Sequence, residues 1–142
     1  MKKNFILGLM VVVSVAFTFS SCAKYEEGPK FSFLSKKSRL ANTWKVENAK
    51  TTSSSGTFDF TSLMTDYTLV IEKDGKYSVT NGSSSDSGTW ELGEDGDDVF
   101  FQSSQSGSSQ EAYRILKLKS KELWWKHTNT NGSIDEFHFI EK

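Results

Sequence analysis

The sequence predicts an all-β protein: an eight-stranded antiparallel up-and-down barrel over residues 31–142, carried behind a leader and a tether. Three observations predict it. Beyond residue 40, apolar side chains alternate with period two, the repeat of a strand with one buried face. Asp-Gly, Asn-Gly and Gly/Ser clusters interrupt that alternation at short intervals, and such residues supply the backbone of tight hairpins. Aromatic residues are plentiful, with 11 Phe, 4 Trp and 4 Tyr in 142 residues, and they favour pleated, half-buried surfaces.

The first element is the leader. Lys2 and Lys3 precede an apolar run from Phe5 to Phe19. As a helix that run spans about 22 Å, short of the roughly 30 Å of a hydrocarbon layer. Residues 1–21 therefore read as a removable signal peptide rather than a membrane span or a core helix. Ser20 and Ser21 lead to Cys22, the only cysteine, which has no partner for an intramolecular disulfide. Phe19-Ser20-Ser21-Cys22 resembles the lipobox of bacterial lipoproteins, with Phe19 where Leu is usual. The resemblance implies cleavage before Cys22, acylation of that residue, and membrane attachment through it. Two or more acyl chains hold a protein stably on a membrane where one does so only marginally.

Residues 22–30 are polar, carry the single proline at Pro29, and read as a lipidated tether. Lys24 followed by Glu26 and Glu27 is similar to the signal that sends some lipoproteins to the outer face of the outer membrane. An ordinary solvated linker explains the same residues. The expected location is the outer membrane, on its periplasmic or cell-surface side.

The strands follow in order. Phe31-Ser32-Phe33-Leu34 is a short apolar patch, and Ser35 is placed to cap one turn of helix over residues 36–39. Residues 40–50 put Trp44 and Val46 on one face. Residues 57–64 are a weak candidate for a helical turn. Tyr67, Leu69 and Ile71 form the next face, and Asp74-Gly75 turns the chain into Tyr77 and Val79. Residues 83–87 read as a polar loop before Trp90 and Leu92. Residues 94–97 turn into Val99-Phe100-Phe101, and residues 103–110 form a second polar loop. Residues 113–119, 123–128 and 134–140 complete the set. No connection is long enough for a crossover helix, so neighbours pair antiparallel. Closing such a meander removes the exposed edges that invite aggregation, and eight strands leave room for side chains or one small ligand.

Register in the last hairpin follows from its apolar faces. An odd-length loop around Asn131-Gly132 aligns Leu123 and Trp125 with Phe137 and Phe139, and puts Trp124, Lys126, Glu136 and His138 outside. An even loop turns one set of side chains over and mismatches the faces.

At this point the chain resembles the lipocalin-like lipoproteins, small secreted bacterial eight-stranded barrels. The likeness lies in Leu40-Ala41-Asn42-Thr43-Trp44-Lys45-Val46, in Gly88-Thr89-Trp90-Glu91-Leu92, and in the order of hairpins after them. Lipocalins open with Gly-x-Trp, and that Trp plugs the closed end of the barrel. Here Asn42 stands in place of the Gly, and Trp44 matches the Trp. The resemblance implies a fold and allows ligand binding; it implies no activity.

Composition and motifs restrict the chemistry. Loss of Lys2 and Lys3 with the leader takes the formal net charge from −1 to −3, which offers no basic field for nucleic acid. The chain contains no Gly-x-Ser-x-Gly elbow, no phosphate-binding glycine loop and no His-Glu-x-x-His, and an enzyme is not expected. His127 and His138 fall on opposite faces in the chosen register, which argues against a shared metal, and no cofactor is expected. Glu94-Asp95-Gly96-Asp97-Asp98 lacks the ligand spacing of a calcium loop and reads as a solvated hairpin tip. Asn81-Gly82-Ser83 and Asn131-Gly132-Ser133 match a glycosylation sequon, but turns already account for Asn-Gly.

The aromatic set Trp44, Tyr67, Tyr77, Trp90, Trp125, Phe137 and Phe139 either fills the barrel as core or lines a pocket for a small apolar ligand. Phe58, Phe60, Leu63 and Met64 are too apolar for a purely solvated connection. Residues 57–66 are therefore expected to form a lid over one end, with Phe58, Phe60 and Leu63 facing inward. The expected ligand-binding set is Phe58, Phe60, Leu63, Tyr67, Tyr77 and Trp125. Two functions remain open: a membrane-anchored module holding a small hydrophobic molecule in its mouth, and a displayed interaction domain with a filled core. Trp124 and Phe100 are the expected exposed apolar residues of the second. Oligomeric state is not legible in the sequence.

Overall fold

The computed structural model describes residues 34–142. The expected signal peptide, Cys22, the expected tether and Phe31-Ser32-Phe33 lie outside the described residues. A short helix, α1 (Lys36–Leu40), comes first. Ser35 caps it as its sequence suggests, its hydroxyl accepting from the Ser38 amide at 3.1 Å. Nine strands follow: β1 (Thr43–Ser53), β2 (Gly56–Asp59), β3 (Tyr67–Ile71), β4 (Lys76–Asn81), β5 (Ser84–Leu92), β6 (Asp98–Ser103), β7 (Glu111–Leu118), β8 (Glu122–Thr128) and β9 (Ile134–Glu141).

Eight of them close a barrel. Each strand from β3 to β8 pairs antiparallel with the next, β1 pairs with β3 over Thr43–Lys45, and β1 and β9 close the ring from Trp44↔Glu141 to Thr52↔Ile134. The all-β, eight-stranded antiparallel barrel expected from the alternation is therefore the fold.

Two local expectations are corrected. The candidate helical turn over residues 57–64 is strand in its first part. β1 runs on to Ser53 and folds back as β2, with Thr52↔Thr57 and Ser53↔Gly56 paired. β-Branched Thr51, Thr52 and Thr57 suit an extended ribbon, and Gly56 takes the turn at φ +127°. Only then does one 3-10 turn follow, at Thr61–Met64. Residues 83–87 are likewise not a loop. Asn81 pairs with Ser84, which leaves a two-residue turn with Gly82 at φ +59° in its first central position. The segment was read as loop because its outer residues are polar; a ribbon wet on both faces shows no apolar alternation to betray it.

Elsewhere the register is as the apolar faces demand. Leu123 faces Phe139 and Trp125 faces Phe137 across the β8–β9 hairpin. Two bulges adjust the wall, one between Val46 and Asn48 and one between Ile115 and Lys117. Such bulges bend a strand and increase its twist, as a closed barrel requires.

The core is concentrated at one end. There α1 lies across the barrel, with Leu40 and Trp44 both fully buried. The Trp44 indole N–H donates to the Leu40 carbonyl at 2.9 Å, and the Arg39 guanidinium donates to the Leu118 carbonyl at 2.8 Å. Lys36 reaches the β5–β6 turn, donating to the Gly96 carbonyl at 3.2 Å and pairing with Asp97 at 3.6 Å. Trp90 donates to the Glu72 carbonyl at 2.8 Å. Burying indoles is costly unless their N–H groups are paired, and both of these are. The plug role that the resemblance implied for Trp44 matches this position.

Candidate functional site

The end opposite α1 is gathered from the start of β3, the β4–β5 hairpin, the β6–β7 loop and the far ends of β8 and β9. Inside it lies a cavity of about 100 Å³. Five aromatic side chains line it: Tyr67, Tyr77, Phe101, Tyr113 and Trp125. Leu69 and Val79 complete its apolar wall, and the carboxylates of Asp86 and Glu111 stand at its rim. A wider polar recess of about 400 Å³ shares Tyr77, Phe101, Asp86 and Glu111 and is bounded by the β6–β7 loop.

Strand alternation builds this wall. Tyr77 and Val79 point inward from β4, and Asp86, Gly88 and Trp90 point inward from β5. Gly88 is required at its place. A Cβ there would stand 2.0 Å from the backbone oxygen of Gln102 and 2.9 Å from Cε1 of Tyr77. The missing side chain lets the Tyr77 ring lie against β5 and β6. The rings then form a continuous series. Phe101 meets Tyr77 at 4.9 Å, Tyr113 at 5.8 Å and Trp125 at 5.6 Å between centroids, each steeply inclined to it. Tyr113 also packs in tilted contact with Trp125 at 4.9 Å and with His127 at 5.0 Å.

The two carboxylates hold the hydroxyls. Tyr77 donates to Asp86 at 2.9 Å, and the same carboxylate accepts from Ser103 at 2.7 Å and Gln105 at 3.2 Å. Tyr113 donates to Glu111 at 2.8 Å. Hydrogen bonds from Ser103 and Tyr77 outweigh the effect of burial on Asp86 and keep its carboxyl below the usual carboxylate range. Burial pushes the Tyr77 hydroxyl up to about 12, with the Asp86 bond adding to it. Burial, and then the Glu111 charge, also hold Tyr67 and Tyr113 well above an ordinary phenol.

A pH prediction follows from these directions. A raised tyrosine stabilises the fold in its neutral form. That contribution is complete below the unfolded value near pH 10 and is lost as pH rises through the folded value. In an alkaline titration of the protein, tyrosinate absorbance from Tyr67, Tyr77 and Tyr113 should appear only above about pH 11, together with loss of structure. Titration of all tyrosines near pH 10 with the fold intact would contradict the buried placement.

Of the residues expected to bind a ligand, Tyr67, Tyr77 and Trp125 meet in this cavity. Phe58, Phe60 and Leu63 do not line it. Phe58 and Leu63 are 61% and 69% exposed, so the expected inward-facing lid is corrected. Their strand and 3-10 turn extend the wall outward instead of folding across the opening. The Thr61 hydroxyl fixes that course by accepting from the Ala49 amide at 2.8 Å. Phe60 alone turns toward the barrel and packs edge-on against Phe137 at 5.7 Å.

The outer wall also differs from expectation. Trp124 is half-buried, not an exposed patch: the His138 ring stacks on it at 4.0 Å and Lys117 Nζ lies 3.9 Å from its centroid. Phe100 is half-buried too. His127 and His138 do face opposite sides, and among the described residues no group of three metal-ligating side chains forms a cluster.

Sequence reasoning missed Asp86, Phe101, Glu111 and Tyr113. Glu111 and Tyr113 are two apart and so share a strand face, a signal that was present. Asp86 was hidden by the assignment of its strand as loop.

No family model matches the chain, and no curated protein matches it. Among solved structures, the chain is similar to a DUF4847 family protein from Bacteroides vulgatus. The two share 11% identity over 68% of this chain and 91% of that one, with a TM-score of 0.45.

Proposed function

We propose that this chain is a lipid-anchored envelope protein, one of the lipocalin-like lipoproteins, and that its barrel mouth binds one small molecule. The observation that supports binding is the asymmetry of the interior. One end has Leu40 and Trp44 fully buried under α1, and the other keeps an aromatic hollow with a polar rim. A domain selected only for stability has no need of that hollow, because voids weaken a core. The hollow is smaller than the 300–1,000 Å³ typical of drug-sized ligands, so the ligand body is about one ring or one branched alkyl group in size.

Equilibrium dialysis against single-ring compounds tests this reading. The unlipidated mature chain should bind such a compound saturably and one to one. Val79→Trp, which fills the hollow, should abolish binding while the protein stays folded. Absence of saturable binding by the folded wild type would move the assignment to a displayed interaction domain. The exposure of Phe58 and Leu63 beside the mouth favours that second reading.

The anchor is tested separately. Cys22→Ser should leave uncleaved precursor or soluble protein in place of membrane-bound product. A variant that still fractionates with membranes as mature-sized, lipid-bearing protein would refute lipidation at Cys22.

A further inference from the structure

We infer that the barrel mouth takes a small organic ammonium ion that also carries an oxygen acceptor, an inference that rests on the mouth being a binding site. Charge is the first argument. Asp86 and Glu111 stand at the rim, and none of the described residues lining the cavity or the recess is Lys, Arg or His. His127 lies behind Tyr113, with its Nδ1–H donating to the Ala112 carbonyl at 2.9 Å. An anionic ligand would meet two carboxylates with no compensating cation; a cationic one meets charge of the opposite sign.

Ring geometry is the second argument. Tyr77 and Tyr113 each stand steeply against Phe101, at interplanar angles of 76° and 80°, as walls of a box do. Aromatic faces attract a cation within about 6 Å, and a box of them is the usual way to hold an ammonium group that cannot donate a hydrogen bond. Tyr77 and Tyr113 donate their hydroxyl protons to carboxylates, which makes their rings richer in electrons and strengthens that attraction.

The cavity wall also carries an unpaired donor. Trp125 is 3% exposed, yet its indole N–H has no hydrogen-bond partner. Tyr67 lines the same cavity. A buried donor left unpaired is destabilising. Trp44 and Trp90 are both paired, and the Trp124 indole N–H on the outer wall is unpaired as well; of the two unpaired indoles, Trp125 is the one that lines the cavity. An oxygen on the ligand satisfies it, and an ammonium on the same ligand lies among the rings.

Choline has both groups in a compact molecule. Dimethylbutanol has the same shape and hydroxyl, with carbon in place of the charged nitrogen. Each is titrated into the unlipidated mature chain, and the Trp125 indole N–H and the amides of Tyr67, Tyr77 and Glu111 are followed by NMR. Choline should bind about tenfold more tightly, given the usual strength of cation–π contacts in a desolvated site. Glu111→Gln, at an exposed position, should reduce that preference several-fold without moving the thermal midpoint. Equal or tighter binding of dimethylbutanol, or an undiminished preference in Glu111→Gln, overturns the ammonium assignment and leaves the mouth a binding site. If neither compound shifts a mouth resonance and single-ring compounds also fail to bind, the binding reading itself is overturned.

Discussion

Replacing Trp44 with alanine should remove most of the protein's stability. Trp44 is fully buried between α1 and the barrel floor, and truncation of a buried tryptophan costs about 3–5 kcal/mol. A second loss adds to it. The Leu40 carbonyl would forfeit the indole N–H it now accepts at 2.9 Å, and an unpaired buried acceptor costs about 1–3 kcal/mol. A domain of this size is typically stable by only about 5–15 kcal/mol. Trp44→Ala should therefore accumulate poorly, or unfold at a much lower denaturant concentration. Trp44→Phe separates the terms, keeping much of the volume while losing the hydrogen bond, and should fall between. A midpoint for Trp44→Ala within error of wild type would show that α1 and Trp44 do not close the barrel.

The second large effect is expected at Gly88, where the smallest possible substitution is not tolerated. Alanine there places a carbon 2.0 Å from the Gln102 backbone oxygen and 2.9 Å from the Tyr77 ring. Backbone cannot rotate away as a flexible side chain can, so β5 and β6 must separate or Tyr77 must leave its place. Overpacking of a tight core costs about 1–3 kcal/mol, and a clash with backbone lies at or beyond the top of that range. Gly88→Ala should cost at least about 3 kcal/mol in urea denaturation. It should also change the mouth, because Tyr77 is one of its walls. Gly132→Ala is the control: nothing lies near its added carbon, and only its φ of +83° opposes substitution, at about 1–2 kcal/mol. Similar costs for the two would mean that Gly88 is not a site of close strand approach.

These effects bear on how much the sequence disclosed. The barrel staves were legible because a half-buried strand writes its inner face as alternation: Tyr67, Leu69 and Ile71, or Leu123 and Trp125 set against Phe137 and Phe139. The closed end was legible through Trp44 and the capping Ser35, both local signals. The ribbon of Ser84–Ser87 was not, since strands wet on both faces carry no apolar period. Phe58 and Leu63 misled for the opposite reason. Hydrophobicity argues for burial, but it does not compel it, and a protruding ribbon tolerates exposed apolar side chains.

The mouth was half legible. Tyr67, Tyr77 and Trp125 could be found because aromatic residues on inner faces stand out. Asp86 could not, because an acid two residues before Gly88 has no sequence mark that it faces the barrel interior. Its role depends on the Ser103 hydroxyl, 17 positions away, and on the Tyr77 hydroxyl nine positions away. Only the closed sheet brings them together.

We propose a barrel closed under α1 and receptive at its opposite end. Crystals of the unlipidated mature protein, soaked with single-ring and small ammonium compounds, test it most directly. Ligand density is expected between Tyr67, Tyr113 and Trp125, with the region around Trp44 unchanged. Density confined to the outer wall at Trp124 or to the ribbon at Phe58, with the mouth vacant in every soak, would contradict it.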